Sequence, residues 1–293
     1  MHLFCFGLGY VAERLARVLV ADGWTVAGTT RHPARAAALA GAGIRALVWD
    51  GGPGEATLAA ELAGATHLLD SVPPRDDPAA PDAALTALAA LAPGRRFRWA
   101  GHLSSTGVYG DAGGGWVDET TPVAPVNSRA GRRVAAERAW AAFHAATGTP
   151  VDVLRLAGIY GPGRSVLDAL RAGRARRIVK PGQVFSRIHV DDIVAAIRAC
   201  MGAPGGLRTY NLCDDEPAAQ PEVVAYGAAL LGIAPPPEED YATAEMSETL
   251  RGMYAGCRRV SAARIKRDFG LAWRHPSYRS GLEAVLAAEA GRS

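Results

Sequence analysis

The chain has 293 residues, 49% of them hydrophobic, and a formal net charge of +3. This share of apolar residues is enough to form the hydrophobic core of one large domain or of two coupled domains. The small net charge argues against a dedicated nucleic-acid-binding protein. The four cysteines are far apart and include no C-x-x-C pair, so neither a zinc site nor a disulfide framework is predicted.

The N-terminus has no basic region followed by an apolar stretch, and no apolar run approaches the length of a transmembrane helix. We therefore expect a cytoplasmic protein with neither a membrane nor a nucleic acid as its partner.

The first 31 residues predict a strand, a glycine turn, a helix and a second strand. An apolar strand at residues 3–6 leads into the hexapeptide Gly7-Leu8-Gly9-Tyr10-Val11-Ala12, which has the pattern G-x-G-x-x-A. Apolar residues at helical spacing follow, Gly23 ends the helix, and residues 24–29 begin the second strand.

Glycines at such a turn allow a pyrophosphate to approach the backbone at a helix N-terminus, where N–H groups and the helix dipole favour an anion. Gly7 suits the tight turn, Gly9 the close approach, and Ala12 the packing of helix on strand. An ordinary strand-to-helix turn is the alternative. We predict dinucleotide binding here, with Tyr10 and Val11 included, because the strand and helix follow in the required order.

The end of the second strand, Gly28-Thr29-Thr30-Arg31-His32, indicates which dinucleotide binds. Folds that prefer NAD usually place a carboxylate here for the ribose 2′-hydroxyl, whereas an arginine accommodates the 2′-phosphate of NADP. This stretch has no carboxylate, Thr29 and Thr30 offer hydroxyls to phosphate oxygens, and Arg31 can pair with phosphate. We predict NADP rather than NAD; an Arg31 that only faces solvent is the alternative.

Helices and strands continue to alternate after Arg31. Helices are predicted at 33–39, 58–62 and 82–91, and strands at 44–49, 67–72 and 97–103. A polar connection at residues 75–81 precedes the last of these helices. The alternation predicts an α/β fold with a doubly wound parallel sheet (Rossmann), with ligands at the carboxyl ends of the strands.

Three further residues at these strand ends are cofactor candidates. Asp50 follows the third strand, where it could accept from the adenine amine; a turn through Gly52 and Pro53 is an equal alternative. Val72 and Pro73 mark where the fourth strand leaves the sheet, because proline lacks the N–H of a central strand. We assign Val72 and Pro73 to the cofactor.

The fifth strand ends in Leu103-Ser104-Ser105-Thr106-Gly107-Val108-Tyr109-Gly110, which puts hydroxyls where substrate polar groups would lie. This segment resembles the serine motif of the extended short-chain dehydrogenases/reductases, the group that includes nucleotide-sugar epimerases and dehydratases. The resemblance implies that Ser105, four residues before Tyr109, is the catalytic Ser/Thr. A hydroxyl that only bonds the loop backbone is the alternative.

The same family has a Tyr-x-x-x-Lys pattern in the helix that is predicted to begin near Ser128. There the Tyr is the acid/base, and the Lys lowers its pKa and holds the nicotinamide ribose. Alignment of the run 134–137 with the family places Arg133 at the Lys position and Arg129 at the Tyr position. Arg133 could hold a ribose hydroxyl or a phosphate, but a guanidinium stays protonated and cannot transfer a proton. Because it lacks the Tyr, this sequence is similar to an atypical subgroup of the family, the YeeZ-like proteins.

Two later segments also resemble the family. After a strand at 151–156, residues 157–164 resemble the loop that crosses the nicotinamide and the substrate, and residues 185–192 resemble the strand and helix start after the sugar-nucleotide segment. Tyr109 and Tyr160 are candidate proton donors, and a water molecule held by Ser105 that relays the proton is the alternative.

His189 is a further proton-donor candidate, although a structural histidine is the favoured interpretation. Asp191 or Asp192 is predicted to cap a helix at 193–201. A basic cluster precedes these residues and could meet an anionic substrate, although a solvated helix end is favoured; it consists of Arg171, Arg174, Arg176, Arg177 and Lys180.

The rest of the chain predicts a short strand at 210–212 and three helices. The first helix is at 222–231, the second follows residues 259–261 and ends at Phe269, and the third is at 278–288. We predict a NAD(P)-binding Rossmann domain that comprises residues 1–157 and parts of 186–213. Residues 158–185 and 214–293 are predicted to form a smaller, discontinuous substrate lobe.

The sequence thus favours an NADP-binding oxidoreductase or nucleotide-sugar epimerase/dehydratase-like enzyme whose small substrate is unknown and could be anionic. The alternative is a non-catalytic NAD(P)-binding sensor or regulatory protein, which the missing Tyr-Lys pair supports. No metal ligand is assigned, and a monomer or a homodimer is expected. The catalytic candidates are Ser105, Tyr109 and Tyr160.

Overall fold

A computed structural model describes residues 1–51, 56–77 and 82–290 of the chain. The predicted turn through Gly52 and Pro53 and the end of the predicted polar connection, at 78–81, lie outside the described residues. The chain divides into two compact units. Unit 1 comprises Met1–Ser105, Gly131–Arg155 and Val194–Tyr210, and unit 2 comprises Thr106–Ala130, Leu156–Ile193 and Asn211–Ser293.

The strands of the described residues are β1 (His2–Phe6), β2 (Thr25–Thr30), β3 (Arg45–Val48), β4 (His67–Asp70), β5 (Trp99–Ser105), β6 (Trp116–Val117), β7 (Val151–Leu156), β8 (Gly158–Tyr160), β9 (Arg177–Val179), β10 (Arg187–His189), β11 (Leu207–Leu212), β12 (Glu238–Asp240) and β13 (Arg259–Val260).

The helices are α1 (Tyr10–Ala21), α2 (Pro33–Ala40), α3 (Ala56–Gly64), α4 (Ala83–Leu91), α5 (Ser128–Thr147), α6 (Val166–Arg171), α7 (Val190–Gly202), α8 (Gln220–Leu230), α9 (Glu248–Met253), α10 (Ala263–Phe269) and α11 (Tyr278–Ala290). A 3₁₀ helix at Thr106–Tyr109 follows β5. No helix in the described part of the chain has both the length and the apolar character that a membrane crossing requires.

The central sheet has seven parallel strands in the order β11-β7-β5-β4-β1-β2-β3. β1 lies between β2 and β4, so the strand order reverses beside it, and β4 pairs in turn with β5. This order confirms the predicted doubly wound sheet and puts a switch point at the carboxyl end of β1, where ligands bind in such folds.

The core of unit 1 explains why these segments form strands and helices. Leu3, Phe4 and Phe6 of β1 are completely buried, as an apolar strand covered on both faces requires. Leu15 and Leu19 of α1 are also buried, at a spacing of four residues along one helix face. Burial of this face against the sheet fixes the position of the helix that follows the glycine turn.

Unit 2 contains short strands whose partners are distant in the sequence. β8 pairs with β10, β9 with β12, and β6 with β13, each in parallel. Its apolar cluster includes Tyr160, Leu167 and Leu282. Gly281 of α11 is required beside Tyr160, because a Cβ there would overlap the hydroxyl and the ring of the tyrosine.

The predicted cap of the helix after β10 is wrong. α7 begins at Val190, so Asp191 and Asp192 lie within its first turn. The N–H of Asp191 donates to Nδ1 of His189 at 3.2 Å, which makes the histidine the capping side chain. The Asp192 carboxylate instead accepts from backbone N–H groups of the loop before α11.

Candidate functional site

The glycine turn of unit 1 has the geometry that a close backbone approach requires. Gly7 adopts φ 84°, and a Cβ there would lie 3.0 Å from Cγ1 of Val72 and 3.1 Å from Oγ of Ser71. Its N–H donates to Oγ1 of Thr29 at 2.8 Å, and its carbonyl accepts from Oγ of Ser71. A side chain at Gly7 would therefore be both strained and crowded.

The N-terminus of α1 lies next to this turn. Gly9 precedes the helix in an extended conformation and provides no side-chain cap, and the atom nearest to an added Cβ is Oγ of Ser71 at 3.9 Å. Ala12 is completely buried, as predicted for the small residue that lets α1 approach the sheet. The turn and the uncapped helix end form a cradle that can take a pyrophosphate.

Sequence reasoning missed a third glycine of this region. A Cβ at Gly28, in the middle of β2, would lie 2.5 Å from the carbonyl oxygen of Cys5 and 2.9 Å from a side-chain carbon of Leu8. Gly28 therefore lets β2 lie close to the turn. An isolated glycine within a strand is the signal that could have identified it.

The two threonines at the end of β2 accept hydrogen bonds from the backbone. Thr29 is buried and its hydroxyl accepts from the turn, and the hydroxyl of Thr30 accepts from the N–H of His32 at 3.4 Å. Arg31 is exposed. The threonines thus order the backbone, whereas Arg31 is the exposed cation at this strand end.

A second arginine near the turn was not identified from the sequence. Arg35, in the first turn of α2, donates from Nε to the carbonyl of Leu8 at 3.2 Å and pairs through Nη2 with Glu13 at 2.6 Å. Arg35 therefore connects α2 to the glycine turn. It also offsets the negative charge that Glu13 brings to the start of α1.

The remaining cofactor candidates lie at the ends of β3 and β4. Asp50 is exposed, two residues after the end of β3. Val72 is half-buried, Pro73 is exposed, and the N–H of Val72 donates to Oδ1 of Asp70 at 3.1 Å. Asp70 thereby fixes the segment that faces Gly7.

Asp70 belongs to a buried polar network. Its Oδ2 lies 2.6 Å from Nδ1 of His102, whose ring packs on Trp140, and Nε1 of Trp140 donates to Asp82 at 3.1 Å. Burial raises the pKa of both carboxyl groups, the charge of Asp70 raises the pKa of Asp82 further, and burial lowers the pKa of His102. Burial thus favours the neutral form of each of these three groups.

Arg133 reaches the end of β5. Its Nη1 donates to the carbonyl of Leu103 at 2.6 Å, two residues before the half-buried Ser105. Glu137, one turn further along α5, accepts from Oγ of Ser104 at 2.6 Å and pairs with Arg155 at 2.7 Å. These contacts fix α5 against β5 and β7 and bring Arg133 close to the strand end that contains Ser105.

The two tyrosine candidates lie within unit 2 and are both buried. The hydroxyl of Tyr109 donates to Oδ1 of Asn211 at 2.8 Å, and that of Tyr160 donates to the carbonyl of Ser277 at 3.2 Å. Burial, with the carboxylates of Asp214 and Asp192, raises the pKa of Tyr160. Each hydroxyl would have to exchange this hydrogen bond to donate a proton to a substrate.

Most of the basic cluster contacts other residues of unit 2. Ion pairs connect Arg171 to Glu289, Arg176 to Glu239 and Arg177 to Glu238, and Lys180 donates to the carbonyl of Tyr254. Arg174 is exposed and borders an open depression of about 440 Å³, together with Arg164 and Arg187. Arg174 is thus the member of the cluster most accessible to an anion.

The sequence and the fold of this chain are similar to those of known proteins. Residues 7–213 match the NAD-dependent epimerase/dehydratase family. Protein YeeZ of Escherichia coli (strain K12) is 34% identical over 241 residues, which cover 78% of this chain and 84% of YeeZ.

Two solved structures have similar folds. A conserved protein of unknown function from Silicibacter pomeroyi DSS is 44% identical, with a TM-score of 0.89 over 98% of each chain. A dTDP-glucose 4,6-dehydratase from Bacillus anthracis str. Ames, solved in complex with NAD, is 16% identical, with a TM-score of 0.80 over 100% of this chain and 97% of the dehydratase. The second likeness concerns the fold alone.

Proposed function

The chain belongs to the NAD-dependent epimerase/dehydratase family, and from that membership we propose that it is an NADP-binding oxidoreductase or epimerase/dehydratase-like enzyme with a small-molecule substrate. The glycine turn is the observation that supports this proposal best. Gly7 has φ 84° with side chains packed around it, and Gly9 leaves the start of α1 uncapped. These residues fit a pyrophosphate.

The rest of the cofactor would extend along the strand ends of unit 1. Arg31 would pair with the 2′-phosphate, since the end of β2 is exposed at this residue and has no carboxylate. Asp50 would meet the adenine, and Val72, Pro73 and Arg133 the nicotinamide half. The bound dinucleotide supplies hydride transfer.

Ser105 would hold the substrate carbonyl or hydroxyl, because it ends the central strand β5. Arg133 would stabilise negative charge on the cofactor or substrate but would not move a proton. Tyr109 and Tyr160 already donate their hydroxyl hydrogens to Asn211 and Ser277. We therefore assign the transferred proton to a water molecule held by Ser105.

The test is NADPH oxidation with a panel of ketones, aldehydes and nucleotide sugars, followed by absorbance. Ser105→Ala should lower kcat at least about 100-fold, the lower end of what a positioned acid/base group contributes. Ser247→Ala is the matched control, because its exposed hydroxyl caps α9 and has no assigned role in the proposed site. Its kcat per folded molecule should stay within about two-fold of the parent's.

Turnover that Ser105→Ala leaves unchanged would contradict the role of Ser105. Tight NADPH binding without turnover on the whole panel would instead favour a sensor of NADP or of its redox state. Absence of dinucleotide binding would overturn both functions.

A further inference from the structure

Two histidines and an aspartate of unit 2 meet where α7 begins. His189 ends β10, Asp191 lies in the first turn of α7, and His275 lies between α10 and α11. One nitrogen or oxygen atom from each side chain lies within 4.8 Å of the other two. The two imidazole rings have centroids 4.0 Å apart. Unit 2 thus brings together residues that are widely separated in sequence.

The backbone on both sides of this cluster is fixed. Asp192 accepts from the N–H of Arg274 at 2.7 Å and from the N–H of His275 at 3.1 Å, which ties the loop before α11 to the first turn of α7. Tyr160 packs edge-on against His189, with ring centroids 5.3 Å apart. The three side chains are therefore positioned by the fold itself.

The lone pair of His189 is on the ring nitrogen beside Asp191. Its Nδ1 accepts from the N–H of Asp191 at 3.2 Å and lies 3.9 Å from Oδ2 of the same residue. A nitrogen that accepts from an N–H carries its lone pair, so Nδ1 is the atom that could bind a metal, and the proton of the neutral ring is on Nε2. A metal ion would take the place of the weak contact with the Asp191 N–H.

His275 adds a buried imidazole with capacity to bind. His275 is 5% exposed, and its ring lies against the ring of His189.

The charge and access of the cluster suit a cation. Asp191 supplies a carboxylate, and its side chain is 23% exposed, so solvent reaches the cluster at this residue. Two imidazoles and a carboxylate are a common donor set for zinc and related transition metals. Zinc–nitrogen bonds are about 2.0–2.1 Å long, so each ligand atom would need to move toward the metal ion by less than about 1 Å.

We propose that His189, Asp191 and His275 bind a divalent transition-metal ion. Three protein ligands leave a coordination position for water or another small ligand. No metal ligand was assigned from the sequence, because the two histidines are far apart in the chain, one at the end of β10 and the other in the loop before α11. The candidate dinucleotide residues all belong to unit 1, whereas these three residues belong to unit 2.

The first test uses the unmodified, tag-free chain, stripped with EDTA and then loaded with one equivalent of Zn²⁺. X-ray absorption at the zinc edge should show two imidazole ligands and one or more oxygens. One imidazole, or none, would overturn the proposal, since the buried cluster of Asp70, Asp82 and His102 offers only one histidine. This measurement needs no variant to fold.

The second test is calorimetric titration with Zn²⁺. Asp191→Asn, His275→Gln and His189→Asn should each weaken binding at least about ten-fold; the asparagine at position 189 keeps an acceptor for the N–H of Asp191. Asp82→Asn is the matched control, because it removes a carboxylate from the other cluster, and its affinity should equal the parent's. Parent-like affinity in all three site variants would refute the assignment.

Discussion

The Arg133 guanidinium donates from Nη1 to the carbonyl oxygen of Leu103 at 2.6 Å. Leu103 is 6% exposed and lies two residues before Ser105, so this contact connects α5 to the strand end that would hold the substrate. The chain thus has a permanently charged group held by the backbone of β5, at the position that the sequence predicts for the family's lysine.

Arg133→Met should reduce both stability and cofactor affinity. Loss of the guanidinium leaves the Leu103 carbonyl without this donor, which should lower the free energy of unfolding by about 1–3 kcal/mol. If Arg133 also holds the cofactor, the NADPH dissociation constant should rise at least about ten-fold, since a charge-assisted hydrogen bond contributes about 1.5–3 kcal/mol. Urea unfolding and fluorescence titration measure the two effects. A stability loss with unchanged NADPH affinity would limit Arg133 to a structural role.

Gly7→Ala and Gly23→Ala form a matched pair. Both glycines have positive φ, 84° and 79°, but a Cβ at Gly7 meets Val72 at 3.0 Å, whereas none of the described atoms lies within 4 Å of a Cβ at Gly23. Each alanine should cost about 1–2 kcal/mol in backbone strain. Only Gly7→Ala should also abolish NADPH binding; equal affinities in the two variants would contradict the position assigned to the pyrophosphate.

Arg31→Ala should change cofactor preference. Removal of the exposed guanidinium should raise the NADPH dissociation constant at least about ten-fold and leave that of NADH unchanged, because only NADPH has the 2′-phosphate. Arg17→Ala removes another exposed arginine, which pairs with Glu13 on α1, and should leave both constants unchanged. Titration of each variant with both dinucleotides measures these constants. An equal loss of affinity for NADPH and NADH in Arg31→Ala would show that Arg31 does not bind the 2′-phosphate.

Asp214 should make stability depend on pH. Burial raises its pKa from 3.8 to about 8, although the Arg187 guanidinium opposes the shift. The folded chain therefore keeps a proton on Asp214 between about pH 4 and pH 8 that the unfolded chain releases, and stability falls as pH rises through this window, by at most about 1.4 kcal/mol per pH unit. Asp214→Asn removes this titration, so its stability relative to the parent should increase from pH 5 to pH 8. Urea unfolding at both pH values tests this; a constant difference would refute the raised pKa.

Local patterns predicted much of unit 1. The run from residue 3 to Gly9 combines an apolar strand with a turn that needs glycine, and both depend on neighbours in sequence. The alternation of helices and strands then fixed the class of sheet, because parallel strands need crossover connections. The role of Thr29 was not predictable, since its hydroxyl bonds the N–H of Gly7, 22 residues earlier.

Contacts between distant segments account for what the sequence did not reveal. The Asp70–His102 pair joins residues 32 apart, and the ring contact of His189 with His275 depends on the loop before α11. The two-residue strands β6 and β13 are too short to show a period. Such pairs become visible only when the chain is folded.

The most direct measurement is the equilibrium affinity of the parent chain for NADPH and for NADH, titrated side by side at one ionic strength. We expect saturable binding of one NADPH per chain and at least about ten-fold weaker binding of NADH. Tighter binding of NADH would contradict the assignment of Arg31 to the 2′-phosphate, and binding of neither would contradict a dinucleotide at the Gly7–Gly9 turn.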